Sequence, residues 1–168
     1  MATLFIFAGL PGTGKTHLAR RLAQHMGAVC LRIDTIEQAL RDLCRLQVEG
    51  EGYRLAYRVA ADNLALGRDV VADSCNPLEL TRREWEQVAV NQNASFVNIE
   101  VICSDRNEHR RRIETRVTDI PGLKLPAWDD VMQREYEPWT WDRICIDTAG
   151  VSVEEAFGAL RDVLGIRD

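Results

Sequence analysis

The stretch that decides the fold is LFIFAGLPGTGKTHLARRLA, residues 4–23, where an apolar run leads through a glycine-rich segment into a lysine, a threonine and spaced leucines and alanines. A continuous apolar run is typical of a β-strand that is buried on both faces. The apolar residues after Thr16 recur at helical spacing. The stretch is therefore predicted to form a strand, a glycine loop and a helix.

The loop between them fits the pattern G-x-x-x-x-G-K-[ST], with Gly9, Gly14, Lys15 and Thr16 at its fixed positions. Glycines let backbone N–H groups turn towards phosphate oxygens, the lysine reaches the outer phosphates, and the hydroxyl binds Mg²⁺. The helix that follows adds the positive end of its dipole. We therefore expect an ATP site, whose predicted binding residues are Gly9, Leu10, Pro11, Gly12, Thr13, Gly14, Lys15, Thr16 and His17.

Apolar strands alternate with helical patterns along the rest of the chain, which favours a parallel sheet with crossover helices. Predicted strands cover residues 3–8, 28–33, 68–73, 95–104 and 143–147, and predicted helices cover about 53–66, 80–91, 105–117 and 152–164. A further helix carries Ile36, Ala39, Leu40 and Leu43. Residues 118–130 contain two prolines and a glycine and are predicted to form a mobile loop. The prediction is an α/β fold with five mostly parallel strands in one domain, residues 1–168.

Composition excludes several classes of protein. The 168 residues are 46% hydrophobic and 28% charged with a net charge of -5, which is typical of one globular domain without a general attraction to nucleic acid or membrane. The apolar run near the start has no basic region before it, so no signal peptide is expected. The cysteines, which form no C-x-x-C pair, are expected to be reduced core residues of a cytoplasmic protein: Cys30, Cys44, Cys75, Cys103 and Cys145.

Two aspartates follow predicted strands, Asp34 after CLRI and Asp73 after VVA. Ligands of open parallel sheets collect outside the carboxyl ends of the strands, so both acids are expected near the phosphates. Asp34 suits a base or an orienting group for an attacking hydroxyl, and the alternative is a helix N-cap. Asp73 suits the Mg²⁺ shell together with Thr16, and the alternative is a turn residue.

Arginines supply a third candidate group in SDRNEHRRRIETR, residues 104–116. Arg112 and Arg116 lie four positions apart, on one helical face with His109, and precede the predicted mobile loop. A closing lid would bring them onto the transferring phosphoryl group, while the alternative is a solvated helix in which Glu108 pairs with Arg112. Arg82 and Arg41 are predicted, with Asp34, to contact the substrate. The tryptophans and tyrosines are expected to pack rather than to stack on a base.

These motifs resemble the P-loop kinases grouped with polynucleotide kinase, gluconate kinase-like and chloramphenicol phosphotransferase-like enzymes, which are also labelled AAA-type ATPases. The matching segments are GLPGTGKT, RIDTI at Asp34, VVADSCNP at Asp73 and RRIETR at Arg112 and Arg116. The resemblance implies a three-layer nucleoside monophosphate kinase-like fold, ATP with Mg²⁺, an aspartate near the acceptor, and a helical lid, here about residues 105–137. Glu37 stands where such kinases often have an arginine for substrate, which disfavours an anionic acceptor.

The leading hypothesis is a kinase that transfers the γ-phosphate of ATP to a hydroxyl of a small molecule or nucleotide, with Lys15, Asp34, Arg112 and Arg116 as catalytic residues. The sequence leaves two alternatives open. One is a 5′-hydroxyl polynucleotide kinase, which the acidic net charge disfavours. The other is an ATP-dependent switch that a partner protein reads. The expected partners are ATP and a small-molecule acceptor.

Overall fold

The computed structural model describes residues 1–166. In chain order the elements are β1 (Thr3–Ala8), α1 (Lys15–Met26), β2 (Val29–Arg32), α2 (Ile33–Cys44), α3 (Glu51–Ala65), β3 (Val70–Asp73), α4 (Glu79–Asn91), β4 (Ser95–Ile102), α5 (Arg106–Thr115), α6 (Trp128–Gln133), β5 (Ile144–Asp147) and α7 (Val153–Leu164). The five strands form one sheet in the order β2-β3-β1-β4-β5. All four pairings are parallel.

The central strand β1 separates two hydrophobic clusters. Successive side chains of a strand point to opposite faces, so Leu4 and Ile6 lie on one side and Phe5 and Phe7 on the other. Helices α3 and α4 cover the first face, and α1 and α7 cover the second. The three-layer α/β fold with a parallel sheet is thereby confirmed. Its topology puts the carboxyl ends of β1, β2 and β3 side by side.

The predicted mobile loop is wrong in part, because α6 begins inside it. Trp128 and Val131 lie three residues apart on this helix and are buried against Ile113, with Leu10 packed beside them. The side chain of Asp130 accepts a hydrogen bond from the Ala127 N–H at 2.9 Å and fixes the first turn. These apolar contacts and this hydrogen bond stabilise α6, although the prolines and the glycine of the segment had favoured a loop.

The expectation that the cysteines are core residues is also wrong. All five are free thiols, but Cys30, Cys44 and Cys145 are exposed, and Cys75 and Cys103 are partly exposed. Cys30 and Cys145 belong to β2 and β5, the two edge strands, which neighbouring elements cover least. Leu43, assigned to the apolar face of its helix, is likewise 83% exposed near the end of α2.

No helix among residues 1–166 combines the length and the apolar character that crossing a membrane would need.

Candidate functional site

The glycine loop joins β1 to α1 and leaves the start of α1 open to a ligand. Gly14 is the N-cap of α1, with φ 92° and no capping side chain. The first N–H groups of a helix have no partner within the helix, so an uncapped first turn is a place for an anion. Gly9 anchors the loop from the other side, where its N–H donates to the carbonyl of Cys75 at 3.0 Å.

A cleft of about 1120 Å³ lies over this loop. Six of the nine predicted ATP-binding residues line it, namely Pro11, Gly12, Gly14, Lys15, Thr16 and His17. Gly9, Leu10 and Thr13 support the loop from behind. A Cβ on Gly9 would lie 2.2 Å from the Val101 carbonyl oxygen, and the Thr13 hydroxyl donates to the Leu10 carbonyl at 3.0 Å. None of these three residues lines the cleft.

Lys15 and Asp73 meet at the floor of the cleft. The Lys15 Nζ lies 3.6 Å from Asp73 Oδ1, and both side chains are buried. Burial alone would lower the pKa of Lys15, but the carboxylates of Asp73 and Asp34 and the Cys75 thiol outweigh it and raise that pKa above its ordinary value. The lysine therefore stays cationic beside the phosphate loop over the neutral range.

The surroundings of Asp73 suit a metal ion as well as a lysine. Both carboxylate oxygens are buried without a hydrogen bond, which is costly unless positive charge lies nearby. Carboxylate and hydroxyl oxygens are the ligands that Mg²⁺ prefers, and Thr16 follows Lys15 in the same loop. No group of three or more acidic, histidine or cysteine side chains able to hold a metal occurs in the described part of the chain. Thr16 and Asp73 fit Mg²⁺ only if phosphate and water supply the remaining ligands.

Asp34 lies in the first turn of α2, at the carboxyl end of β2. The alternative role as N-cap is wrong, because Arg32 occupies that position. The Asp34 side chain is exposed and lines the cleft. Its charge raises the pKa of Lys15 and partly offsets the lowering of the Arg116 pKa by burial, so the three charges lie within electrostatic reach of one another.

The structure separates the two lid arginines that the sequence placed on one face. Helix α5 ends at Thr115, and Arg116 has φ -69° and ψ 146°, an extended conformation. Arg116 therefore turns towards Asp34 and Lys15, with its Nε buried and without a hydrogen-bond partner. The predicted shared helical face is wrong because the helix stops one residue too early.

Arg112 stays on α5 and binds protein groups beside the glycine loop. It donates to the Thr148 hydroxyl at 2.7 Å and to the Thr148 carbonyl at 2.8 Å. It also pairs with Glu108 at 2.7 Å, the contact that the solvated-helix alternative predicted. The Thr148 hydroxyl lies 2.7 Å from the Thr13 carbonyl as well, so Arg112 is tied to the glycine loop through Thr148.

Arg82 does not line the cleft, so the structure gives no support to its predicted contact with substrate, which stays a prediction. The side chain is fully buried, and it donates to the carbonyls of Asn76, Pro77 and Glu137 at 2.8–3.0 Å. Its guanidinium also lies over the Trp139 ring at 4.3 Å. The arginine is held in the interior because three backbone acceptors and an aromatic ring replace the water that it has lost. Arg41, by contrast, lines the cleft and pairs with Glu37 at 3.3 Å.

The residues that hold the loop before α6 against the rest of the cleft carry no motif in the sequence. Asp119 accepts hydrogen bonds from Arg32 at 2.8 Å and from Arg20 at 2.5 Å, and both hold its pKa well below the usual range. Arg32 Nε also lies 3.9 Å from Asp73 Oδ2. The loop that precedes α6 is thus linked through Arg32 to Asp73 at the floor of the cleft. The signal in the sequence was the position of Arg32 at the end of a strand, directly before Ile33 and Asp34.

A second cavity of about 350 Å³ opens beside the first. Its apolar wall includes Ile33, Tyr53, Pro77 and Leu78. Four residues line both cavities: Asp34, Glu37, Cys75 and Arg134. Asp34 therefore stands at the junction between a phosphate-loop cleft and a smaller chamber.

Comparison with known families gives one match, and the search of curated proteins gives none. A model of the AAA domain family AAA_33 matches residues 4–138, which include the glycine loop, both aspartates and all of the predicted lid region. No curated protein matches the sequence significantly.

Solved structures of two kinases and of Kti12 share the fold at low sequence identity. A sugar kinase from Janibacter sp. superimposes with a TM-score of 0.71 at 13% identity, over 99% of this chain and 96% of that chain. The APS kinase of Mycobacterium tuberculosis, solved with AMPPNP and APS, gives 0.66 at 20% identity over 98% of both chains. Kti12 of Chaetomium thermophilum, solved with ADP-AlF3, gives 0.66 at 19% identity over 95% of this chain and 97% of that chain. At these identities the likeness shows the fold alone.

Proposed function

The chain belongs to the AAA_33 family of AAA domains, and on that premise we propose that it is an ATP-dependent kinase that phosphorylates a hydroxyl of a small molecule. The observation that carries the proposal is the position of Asp34 between two connected cavities. A switch protein needs one nucleotide cleft, whereas a kinase needs a second chamber from which a hydroxyl reaches the outer phosphate. The structural neighbours solved with AMPPNP and with ADP-AlF3 support a nucleotide in the larger cleft.

The larger cleft would hold ATP through the glycine loop and the first turn of α1. Backbone N–H groups there would surround the phosphates, with Lys15 on the outer ones. Mg²⁺, when bound between Thr16, Asp73 and the phosphates, would neutralise charge that develops on phosphate oxygens. The predicted cytoplasmic location stays a prediction, and it agrees with the use of ATP.

The smaller cavity would hold the acceptor with its hydroxyl directed at Asp34. An exposed carboxylate at the junction can accept the hydroxyl proton or a hydrogen bond from it as the oxygen attacks. Lys15 and Arg116 flank this position and would stabilise the negative charge of the transferring phosphoryl group. The new ester bond then forms to the acceptor oxygen, and the bond to ADP breaks.

The experiment that tests this proposal compares Asp34→Asn with the unchanged protein in two assays. We expect phosphoryl transfer to fall by about 10²–10⁴-fold, the usual contribution of a general base, while the ATP dissociation constant changes less than about threefold. A panel of hydroxylated metabolites with ATP and Mg²⁺, read by mass spectrometry for the gain of one phosphate, supplies the acceptor for the kinetic assay.

A matched control is Asp42→Asn, which changes the same residue type on the same helix. Asp42 is exposed and accepts a hydrogen bond from Gln38 at 2.9 Å. We expect this variant to keep nearly full transfer activity. Slow ATP hydrolysis with no phosphorylated metabolite, unaltered by Asp34→Asn, would contradict the kinase proposal and favour the switch alternative. Salt-sensitive transfer to an oligonucleotide would favour a polynucleotide kinase instead.

A further inference from the structure

The smaller cavity, which the proposed function assigns to the acceptor, carries more negative than positive charge. Its lining contains four carboxylates and two guanidinium groups: Asp34, Glu37, Glu49, Glu84, Arg54 and Arg134. Five of the six side chains belong to exposed residues, and the exception is Glu37, whose side chain is 20% exposed. The charge that water screens least is therefore negative.

Close packing of α2 against α3 keeps Glu37 in this half-buried position. A Cβ on Gly52 would lie only 2.3 Å from Glu37 Cγ, so the glycine makes room for the stem of the glutamate. Burial raises the pKa of Glu37, although Arg41 and Arg134 oppose that shift and Asp34 adds to it. Arg41 reaches Oε2 at 3.3 Å from an exposed position. The nearby arginines therefore do not compensate fully for the water that this carboxylate has lost.

An acceptor in the cavity would contact Glu37 close to the place where its hydroxyl is directed at Asp34. Glu37 lies one turn after Asp34 on α2, so the two carboxylates share one side of the helix. A phosphate or carboxylate group of a ligand would be repelled there, whereas a hydroxyl or ammonium group could donate to Glu37. Ile33, Tyr53 and Leu78 offer an apolar wall for a carbon skeleton. Arg54 and Arg134, exposed to water, are poorly placed to hold an anion firmly.

Resting on the proposed kinase function, we propose that this cavity selects polyhydroxy or amino alcohols without negative charge, and that Glu37 determines this specificity by accepting a hydrogen bond from the acceptor. Glu37 is a binding residue in this proposal and takes no part in the proton transfer at Asp34.

The test does not require the acceptor to be known. A bacterial metabolite extract is separated on ion exchangers into cationic, neutral and anionic pools, and each pool is incubated with the protein, Mg²⁺ and ATP labelled in its γ-phosphate. We expect organic phosphate label in the cationic or neutral pool, at least about tenfold above the anionic pool. The inference is overturned by preferential labelling of the anionic pool. No label in any pool would remove the kinase proposal itself, so the two failures are distinguishable.

Variants then connect the selectivity to one side chain. With the acceptor purified from the labelled pool, Glu37→Gln should raise its KM by about tenfold to a hundredfold, the range for a hydrogen bond to a charged group, with little change in kcat or in ATP affinity. Glu37→Arg should move part of the label into the anionic pool. The matched control is Glu79→Gln, an exposed glutamate that lines neither cavity, which should change the KM less than about threefold. Equal KM shifts in Glu37→Gln and Glu79→Gln would overturn the role of Glu37.

Discussion

Two arginines four residues apart in the chain have different surroundings, and substitution should separate their roles. Arg116 lies near Asp34 and Lys15 and has a buried Nε without a partner, so it is available to a phosphoryl group. We expect Arg116→Ala to lower kcat by about 10²-fold, as loss of one donor to a transition state does, and to leave ATP affinity nearly unchanged.

Arg112→Ala should instead weaken ATP binding and lower the melting temperature, because Thr148 and Glu108 lose their partner. Steady-state kinetics, ATP titration and thermal unfolding of both variants check this.

Identical kinetic effects of the two substitutions would contradict the separation of Arg112 and Arg116.

The sequence predicted both arginines as candidates but not their different surroundings. Helical spacing gives two residues the same face only while the helix continues, and α5 ends just before Arg116. Helix ends are uncertain by one or two residues in any sequence pattern, and here one residue decides which arginine reaches the phosphoryl side.

At the scale of elements, the glycine loop depends on its contact with α5. Gly12 has φ 83°, and a Cβ there would lie 2.6 Å from Ile113 Cδ1. His109, on the same helix, donates from Nε2 to the Pro11 carbonyl at 2.7 Å, since a carbonyl can only accept. We expect Gly12→Ala to weaken ATP binding by at least about tenfold, because the backbone at this φ is strained and either the loop or the Ile113 side chain of α5 must shift. Isothermal titration with ATP and Mg²⁺ measures the loss.

Gly27→Ala is the matched control for backbone strain alone. Gly27 ends α1 with φ 61° and has no atom within 4 Å of an added Cβ. This variant should lose about 1 kcal/mol of stability and keep its ATP affinity. A comparable loss of ATP affinity in both variants would refute the importance of the α5 contact.

Sequence patterns identify the glycine loop by local spacing, but the contact of Pro11 with His109 joins residues 98 positions apart and leaves no local signal.

For the molecule as a whole, the hydrophobic pattern of the sequence predicted the three layers of the fold. It did not predict the second cavity, which the packing between helices creates. The apolar run of β1 indicated a strand covered on both faces, and acids after β2 and β3 indicated the ligand edge of the sheet. The second cavity has no such signature. Its wall comes from separated segments, such as Ile33, Tyr53 and Leu78, which meet only after α2, α3 and α4 have packed. The charge of its lining therefore became visible only in three dimensions.

Arg82 shows how the connection after β3 is held to the chain beyond α6, and its replacement should affect the stability of the whole molecule. Its guanidinium joins the carbonyls of Asn76 and Pro77 to that of Glu137, and burial lowers its pKa. Arg82→Met keeps the apolar stem but leaves the carbonyls of Asn76 and Glu137 without a donor, while Pro77 still accepts from the Glu137 N–H, and the loss should cost about 3 kcal/mol or more. Because about 1 kcal/mol shifts the melting temperature of a domain of this size by about 2–4 °C, a decrease of about 6 °C or more is expected in calorimetry. Arg83→Met removes the pairs of an exposed guanidinium with the exposed Glu79 and the buried Glu86. It should shift the melting temperature by less than about 3 °C, because Asn98 and Trp141 still donate hydrogen bonds to Glu86. An unchanged melting temperature with a raised acceptor KM in Arg82→Met would return Arg82 to the substrate site and contradict its structural role.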